Sequence, residues 1–294
     1  MKLALKVDVD TWRGTRDGVP RLVELFKRHG AGATFLFSLG PDHTGRAVKR
    51  VFRKNFLSKV SRTSVLRHYG LRTLLYGTLL PGPDIGRRGA STLRAVRAAG
   101  FEVGVHCWDH VRWQDGVVFA DADWTEREMR RARERFISIF RQVPKTWGAA
   151  GWQTNRHAAW VEEQDCDYAS DTRGRGPFHP LWDGVAIGCP QLPTTLPTLD
   201  ELIGCDGIEE GNVAAHLLGL TAQPRPHVFT AHAELEGGAL LDAFDSLLRG
   251  WKEQGYELVA LRSLFESLDL AQLPRHDVVY GEIPGRSGKV ALQA

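Results

Sequence analysis

Two aspartates one residue apart, Asp8 and Asp10, close the apolar stretch LALKVDVD. In an extended chain, residues two apart point to the same side. The spacing therefore holds two carboxylates close enough to repel and to shift each other's titration, and a cation is the natural compensation. A second pair, His106 and His110 in HCWDH, has the spacing that lets two imidazoles reach one metal from a helical turn or a tight loop. Asp10, His106 and His110 together offer one carboxylate and two imidazoles. Such a set leaves positions open for water and substrate, as catalytic rather than structural metal sites require. It accepts one divalent ion, Zn, Mn, Co, Ni or Fe, and does not choose among them.

A metal bound this way lowers the pKa of its water to about 7 and polarises a carbonyl. Hydrolysis of an amide then needs a base for the water's proton and an acid for the departing amine. Asp8, beside a metal ligand and not necessarily on the metal itself, suits the first role. His232 in VFTAH suits the second, and Asp171 in YASD is expected to orient it. Each residue has a plainer reading when taken alone. H-x-x-x-H is only moderately specific, a single histidine is usually a satisfied core residue, and an aspartate at a strand end is usually a cap or turn residue.

These residues must be positioned by the elements that carry them, and they fall at the ends of predicted strands. LALKVDVD, GATFLFSLG, FEVGVH, KTWGAAG, CDYASD, HVFTAH and YELVAL read as strands. Between them, VPRLVELFKRHG, STLRAVRAAG, WTEREMRRARERFISIFRQ, IEEGNVAAHLLGL and ALLDAFDSLLRGWKEQG have helical periodicity. The alternation predicts an α/β fold with a parallel sheet flanked by helices. About seven such units in about 270 residues favour a barrel, whose active face lies at the C-terminal strand ends. Residues 271–294, rich in Pro and Gly, are expected to form an irregular tail.

Composition excludes disordered and fibrous classes, and no apolar run of about 18 residues predicts a membrane-spanning helix. Charged residues inside MKLALKVDVD argue against a secretory leader. Four scattered cysteines suggest a reducing, cytoplasmic compartment. Charge is uneven. From His43 to Pro83 there are nine Lys and Arg and no Asp or Glu, although the chain's net charge is only +3. In a helix, Val48, Val51, Phe52, Phe56 and Val60 would share one face, with Arg46, Arg50, Arg53 and Lys54 opposite and Lys49 blurring the division. A solvated helical insertion is the bland reading. Nucleic-acid binding lacks a recognisable module and is not expected. An anionic membrane surface fits best, because each basic residue near such a leaflet adds about 1 kcal/mol. Arg46, Lys49, Arg50, Arg53 and Lys54 are the expected contacts.

DVDT, GATFLFSLG, HCWDH, YASD and FTAH, in this order over residues 1–270, resemble the polysaccharide deacetylase family (carbohydrate esterase family 4, the NodB-homology domain). The resemblance implies a distorted (β/α) barrel that hydrolyses N-acyl groups on sugars with one divalent metal. It implies Asp8 as base, Asp10, His106 and His110 as metal ligands, and His232 as acid. VDVDTWRGTRDGVPRL, SLGPDHTGR, AAGWQ, SDTRG, LPTTLPTLDELIG and HAELEG are similar to one branch of that family, whose members remove formate from 4-deoxy-4-formamido-L-arabinose on undecaprenyl phosphate. That similarity implies a polyprenyl-phosphate-linked formamido sugar as substrate and peripheral attachment to the cytoplasmic face of the bacterial inner membrane. It also implies a part in lipid A modification and polymyxin resistance.

The wider family carries an arginine that steadies the base. The matching stretch here, GAAGWQ from Gly148 to Gln153, has none. Arg173 is the expected substitute. Trp152 or its neighbour Gly151 is expected to line the sugar pocket or to offer a backbone N–H to the oxyanion. An N-acetyl-sugar deacetylase is the alternative within the family. A D-x-D phosphatase or glycosyltransferase is more remote, because neither accounts for H-x-x-x-H with a strand-end histidine. The product, formate, phosphate or nucleotide diphosphate, separates these classes.

Overall fold

The computed structural model describes residues 1–47 and 70–294. Most of the basic stretch, including Lys49, Arg50, Arg53 and Lys54, lies outside the described residues; Arg46 lies within them.

Strand β1 (Lys2–Val9) is the spine of a seven-stranded parallel sheet. Leu3, Leu5, Val7 and Val9 pack into the main core, whereas Ala4 faces the other way, toward Tyr168, Leu192 and Val228. Strand alternation therefore sets Lys6 and Asp8 on the inner face with Ala4. On one side follow β2 (Thr34–Ser38), β3 (Glu102–Cys107), β4 (Thr146–Trp147) and β5 (Tyr168–Ala169). Two short strands, β6 (His179–Trp182) and β7 (Val185–Ala186), leave this sheet. β8 (His227–His232) returns to the free edge of β1, and β9 (Glu257–Val259) pairs with Lys2–Ala4. Between β5 and β8, Leu192 N–H donates to Ala169 O at 2.8 Å and Thr195 N–H to Val228 O at 3.0 Å. An extended segment thus spans the gap that a regular barrel would close with a strand. The expected distorted α/β barrel of about seven parallel strands is what forms.

Among the described residues the longer helices are α1 (Val19–His29), α2 (Ala90–Ala98), α3 (His110–Gly116), α4 (Ala122–Phe140), α5 (Arg156–Asp165), α6 (Val213–Leu220) and α7 (Leu241–Glu253), with shorter turns between them. α1 starts with Pro20 in its first turn and ends at Gly30, whose φ of 61° suits a residue without Cβ. In α4, Asp121 accepts from Trp124 N–H at 2.8 Å, and Met129, Ala132, Phe136 and Phe140 form the buried stripe. Between sheet and helices, Phe26 meets Phe35 and Phe244 edge-on, each pair at 5.9 Å. Among the described residues no helix is long and apolar enough to cross a membrane.

The C-terminal tail is not irregular. β10 (Arg275–Glu282) and β11 (Lys289–Gln293) form an antiparallel hairpin, and with β6 and β7 they make a second sheet in the order β11-β10-β6-β7. The Pro and Gly that suggested irregularity are confined largely to the hairpin's turn, Ile283–Gly288. Val278 and Tyr280 follow the period-2 pattern of a half-covered strand. β11 is stitched to the catalytic core: Arg173 N–H donates to Ala291 O and Gln293 N–H to Arg173 O, both at 2.9 Å.

Candidate active site

Asp8, Asp10, His106, His110 and His232 meet at the C-terminal ends of β1, β3 and β8. In the β1–β8 register Asp8 lies opposite His232. His106 is the penultimate residue of β3, and His110 opens α3 one turn later. The turn between the histidines is fixed by Asp109. Its carboxylate caps α3 by accepting from Arg112 N–H at 3.1 Å and pairs with His43 Nδ1 at 2.6 Å.

His106 Nε2 lies 3.1 Å from Asp10 Oδ1, and His110 Nε2 lies 3.3 Å from Asp10 Oδ2. One donor atom from each of the three residues falls within 4.8 Å of the others. His106 Nδ1 lies 2.6 Å from the carbonyl of Gly148. A carbonyl only accepts, so Nδ1 carries a proton and neutral His106 presents the Nε2 lone pair to Asp10. Both facing atoms are buried and neither makes a hydrogen bond. A lone pair facing a carboxylate oxygen requires a positive charge between them, either a proton or a cation. The donor set fits a divalent metal. Burial works against ionisation of Asp10, but His110 and His106 hold its carboxyl far below the usual carboxylate range. His106 is itself raised: burial opposes its charge, while Asp8 and Asp10 favour it.

Asp8 is buried. Its Oδ1 makes no hydrogen bond and lies 3.8 Å from His106 Nδ1. The cation at its Oδ2 is Lys6, at 3.6 Å. Arg173 is elsewhere. Its guanidinium donates to both Glu201 carboxylate oxygens, at 2.8 and 3.0 Å, and to Leu196 O at 2.9 Å. The expectation that Arg173 steadies Asp8 is corrected accordingly: a lysine two residues earlier on the same strand face stands there instead. The signal was an isolated charge in an apolar strand, at the spacing that shares a face with Asp8.

Asp171 also lies away from its expected partner. Its Oδ1 accepts from Ala149 N–H at 2.7 Å and its Oδ2 from Gln191 Nε2 at 2.8 Å. Burial raises its carboxyl, and beside it burial and the Asp171 charge push Glu162 well above the usual carboxylate range. Asp171 thus braces the Gly148–Ala149 backbone that receives the His106 proton. The carboxylate facing His232 belongs to Asp200, with Oδ1 3.8 Å from Nδ1. Asp200 is held by Thr198 Oγ1 at 2.6 Å, inside a capping box formed by Thr198 and Glu201. Burial lowers the His232 imidazole, but Asp200, Asp10, Glu236 and Asp8 outweigh it and the net shift is upward. Glu236 accepts the His232 backbone N–H at 2.7 Å, and burial pushes its own carboxyl up to about 7. No single-residue pattern in LPTTLPTLDELIG marked Asp200; only folding brings it to His232.

Trp152 is only 1% exposed, so its indole does not line an open pocket. It packs edge-on to His232 with ring centroids 6.3 Å apart. Arg173 and Arg286 lie over the indole at 4.8 and 4.6 Å from its centroid. Its Nε1 donates to Thr194 Oγ1 at 3.2 Å. Gly151 and Trp152 both adopt left-handed backbone, φ 64° and 54°. For tryptophan this is strained, and it is maintained by these contacts and by Arg286 Nη2 donating to Gly151 O at 3.2 Å. Arg46 donates through Nε to Gly77 O at 3.0 Å, and Leu71 and Leu79, beyond the undescribed stretch, are exposed.

No family model matches the chain. It is 36% identical over its full length to a Shewanella sediminis protein named "Probable 4-deoxy-4-formamido-L-arabinose-phosphoundecaprenol deformylase ArnD", covering 95% of that protein. A Wigglesworthia glossinidia brevipalpis protein of the same name is 29% identical over 95% of this chain and 98% of its own length. Among solved structures, a protein assigned as a polysaccharide deacetylase from Mycobacterium smegmatis superposes with a TM-score of 0.64 at 16% identity, over 96% of this chain and 94% of that one. A family 4 acetyl xylan esterase from Clostridium thermocellum, solved with a cobalt ion, gives 0.52 at 14% identity over 90% and 91%. The structural likenesses show the fold.

Proposed function

Because the chain belongs to the family of 4-deoxy-4-formamido-L-arabinose-phosphoundecaprenol deformylases, a family of amide hydrolases, we propose that its substrate is a formamido-arabinose carried on a polyprenyl phosphate. The observation that carries this reading is the placement of Asp8 and His232 opposite each other on neighbouring strand ends, beside the Asp10, His106 and His110 cluster. Asp10, His106 and His110 would hold a divalent metal, which would polarise the formyl carbonyl and acidify water. Asp8, with one carboxylate oxygen free of hydrogen bonds, takes the proton from the attacking water. His232, whose acid form the nearby Asp200 carboxylate favours, gives its proton to the sugar nitrogen as the C–N bond breaks. Amide plus water thus becomes formate and an amine. The freed aminoarabinose lipid is the form used to modify lipid A, with resistance to polymyxin-type peptides as the outcome.

The lipid tail requires the enzyme to work at a membrane surface. The basic stretch from His43 to Pro83 and the exposed Leu71 and Leu79 at its described end support peripheral binding there, on the cytoplasmic face. The test is formate release from the formamido-arabinosyl lipid with and without chelator. Release that chelator stops and divalent metal restores is expected. Acetate release from an N-acetyl sugar, with no formate from the lipid, overturns the substrate assignment in favour of a deacetylase.

A further inference from the structure

Lys6 is completely buried, in the central strand of the sheet. Its Nζ donates to Ser170 O at 2.9 Å, stands 3.6 Å from Asp8 Oδ2, and lies 5.5 Å from the centroid of the Trp152 ring. Gly148 lies beside it, its missing Cβ leaving space for the Leu36 side chain. A Cβ there would collide with Leu36 and stand 3.4 Å from the Lys6 ammonium. A buried ammonium is costly in a position that an aliphatic residue would fill, so its presence calls for a role.

From this geometry we infer that Lys6 is the positioning residue of the general base: it engages Asp8 Oδ2 and so turns the hydrogen-bond-free Oδ1 toward the attacking water. The inference rests on the deformylase reading for the step it serves. A carboxylate rotates readily about its Cβ–Cγ bond. Asp8 has the Lys6 ammonium at its Oδ2 and the imidazole of His106, from β3, at its Oδ1. Fixing the oxygen nearer Lys6 selects which oxygen faces the reacting centre. The Ser170 carbonyl in turn holds Nζ in place, and Ser170 Oγ is anchored to Leu192 O at 2.7 Å. The plain alternative is charge balance, because the Lys6 charge also acts on buried Asp171. A residue that only balanced charge would affect stability without a selective loss of turnover.

The experiment compares Lys6→Met, Lys6→Gln and Lys6→Arg in the full-length, metal-loaded protein. It reads metal content, kcat and KM for formate release, and the Asp8 side chain in crystals. A base displaced by about an ångström costs about 10²-fold in rate. Lys6→Met is therefore expected to lose about that much kcat, with unchanged metal stoichiometry and KM, and Lys6→Arg to recover most of it. If Lys6→Met does not fold, Lys6→Gln, which keeps a donor for Ser170 and loses the charge, gives the same readings. Unchanged kcat without the lysine, or Lys6→Arg no better than the neutral variants, overturns the inference. In crystals the Asp8 carboxylate is expected to turn in the neutral variants. An unmoved carboxylate overturns the positioning role even if formate is not the product. Wild-type protein that releases no formate overturns the substrate reading alone.

Discussion

The two sides of the active site are built by different means. On the metal side, Asp10, His106 and His110 come from two short stretches. Their geometry is set mainly by local chain, a strand end and a capped helix start, with one carbonyl, Gly148 O, supplied from the end of the neighbouring strand β4. On the proton-transfer side, several orienting contacts cross the fold, beside the local ones from Lys6 to Asp8 and from Glu236 to the His232 backbone. His232 faces Asp200, Lys6 bonds the carbonyl of Ser170, and Trp152 is held by Arg173 and by Arg286 from the C-terminal hairpin. Binding a cation needs donors of the right type within reach, which a short motif supplies. Moving a proton in the right direction needs neighbouring charges to be balanced against one another, and those can come from anywhere in the chain.

The comparison predicts that the two sides fail differently. Asp10→Ala, His106→Ala and His110→Ala should abolish both metal binding and formate release, as metal analysis and activity assays will show. Asp8→Asn should cost about 10³-fold in kcat while metal content stays normal; if the metal is lost as well, the division between the two sides collapses. Asp200→Asn should cost about ten-fold and change the pH profile. The carboxylates around His232 raise its pKa, so its acid form persists upward in pH and activity falls as pH climbs through the raised value. Removing the Asp200 charge should move that fall to lower pH. Asp171→Asn should leave the limb where it is, and a kcat profile against pH checks both. Smallest in rate is Arg286→Ala. It should reduce kcat by a few-fold at most and lower the melting temperature modestly, in line with a cation–π contact of about 1 kcal/mol. A profile that responds to Asp171 and ignores Asp200 would reverse the assignment of the orienting carboxylate.

The same division explains what could be read in the sequence. The parallel barrel was legible because helix and strand periods alternate cleanly, and the metal ligands because D-x-D and H-x-x-x-H are local. Asp171 was expected beside His232 because both close predicted strands, and Arg173 beside Asp8 because it stands two residues after Asp171. They follow β5 closely, but Asp171 turns into the Gly148–Ala149 backbone and Arg173 is drawn to Glu201. Lys6 carried a usable signal in its register with Asp8. Asp200 carried none, since its place depends on a capping box meeting the end of β8 across the barrel mouth. The C-terminal hairpin was obscured because Gly and Pro in one turn dominated the composition of a short segment.

The position of Lys6 in β1 has a consequence for biosynthesis. β1 is translated before every other strand of its sheet, but one of its edges is covered only when β8 arrives, after β2 to β5 have been made. On the ribosome a nascent strand of LALKVDV therefore waits with unpaired backbone and apolar faces, the condition that favours edge-to-edge aggregation. A lysine and an aspartate pointing from the same face are the kind of inward charges that discourage such pairing. Residues that serve a mature catalytic centre would thus also protect the unfinished chain until its partner strand is made.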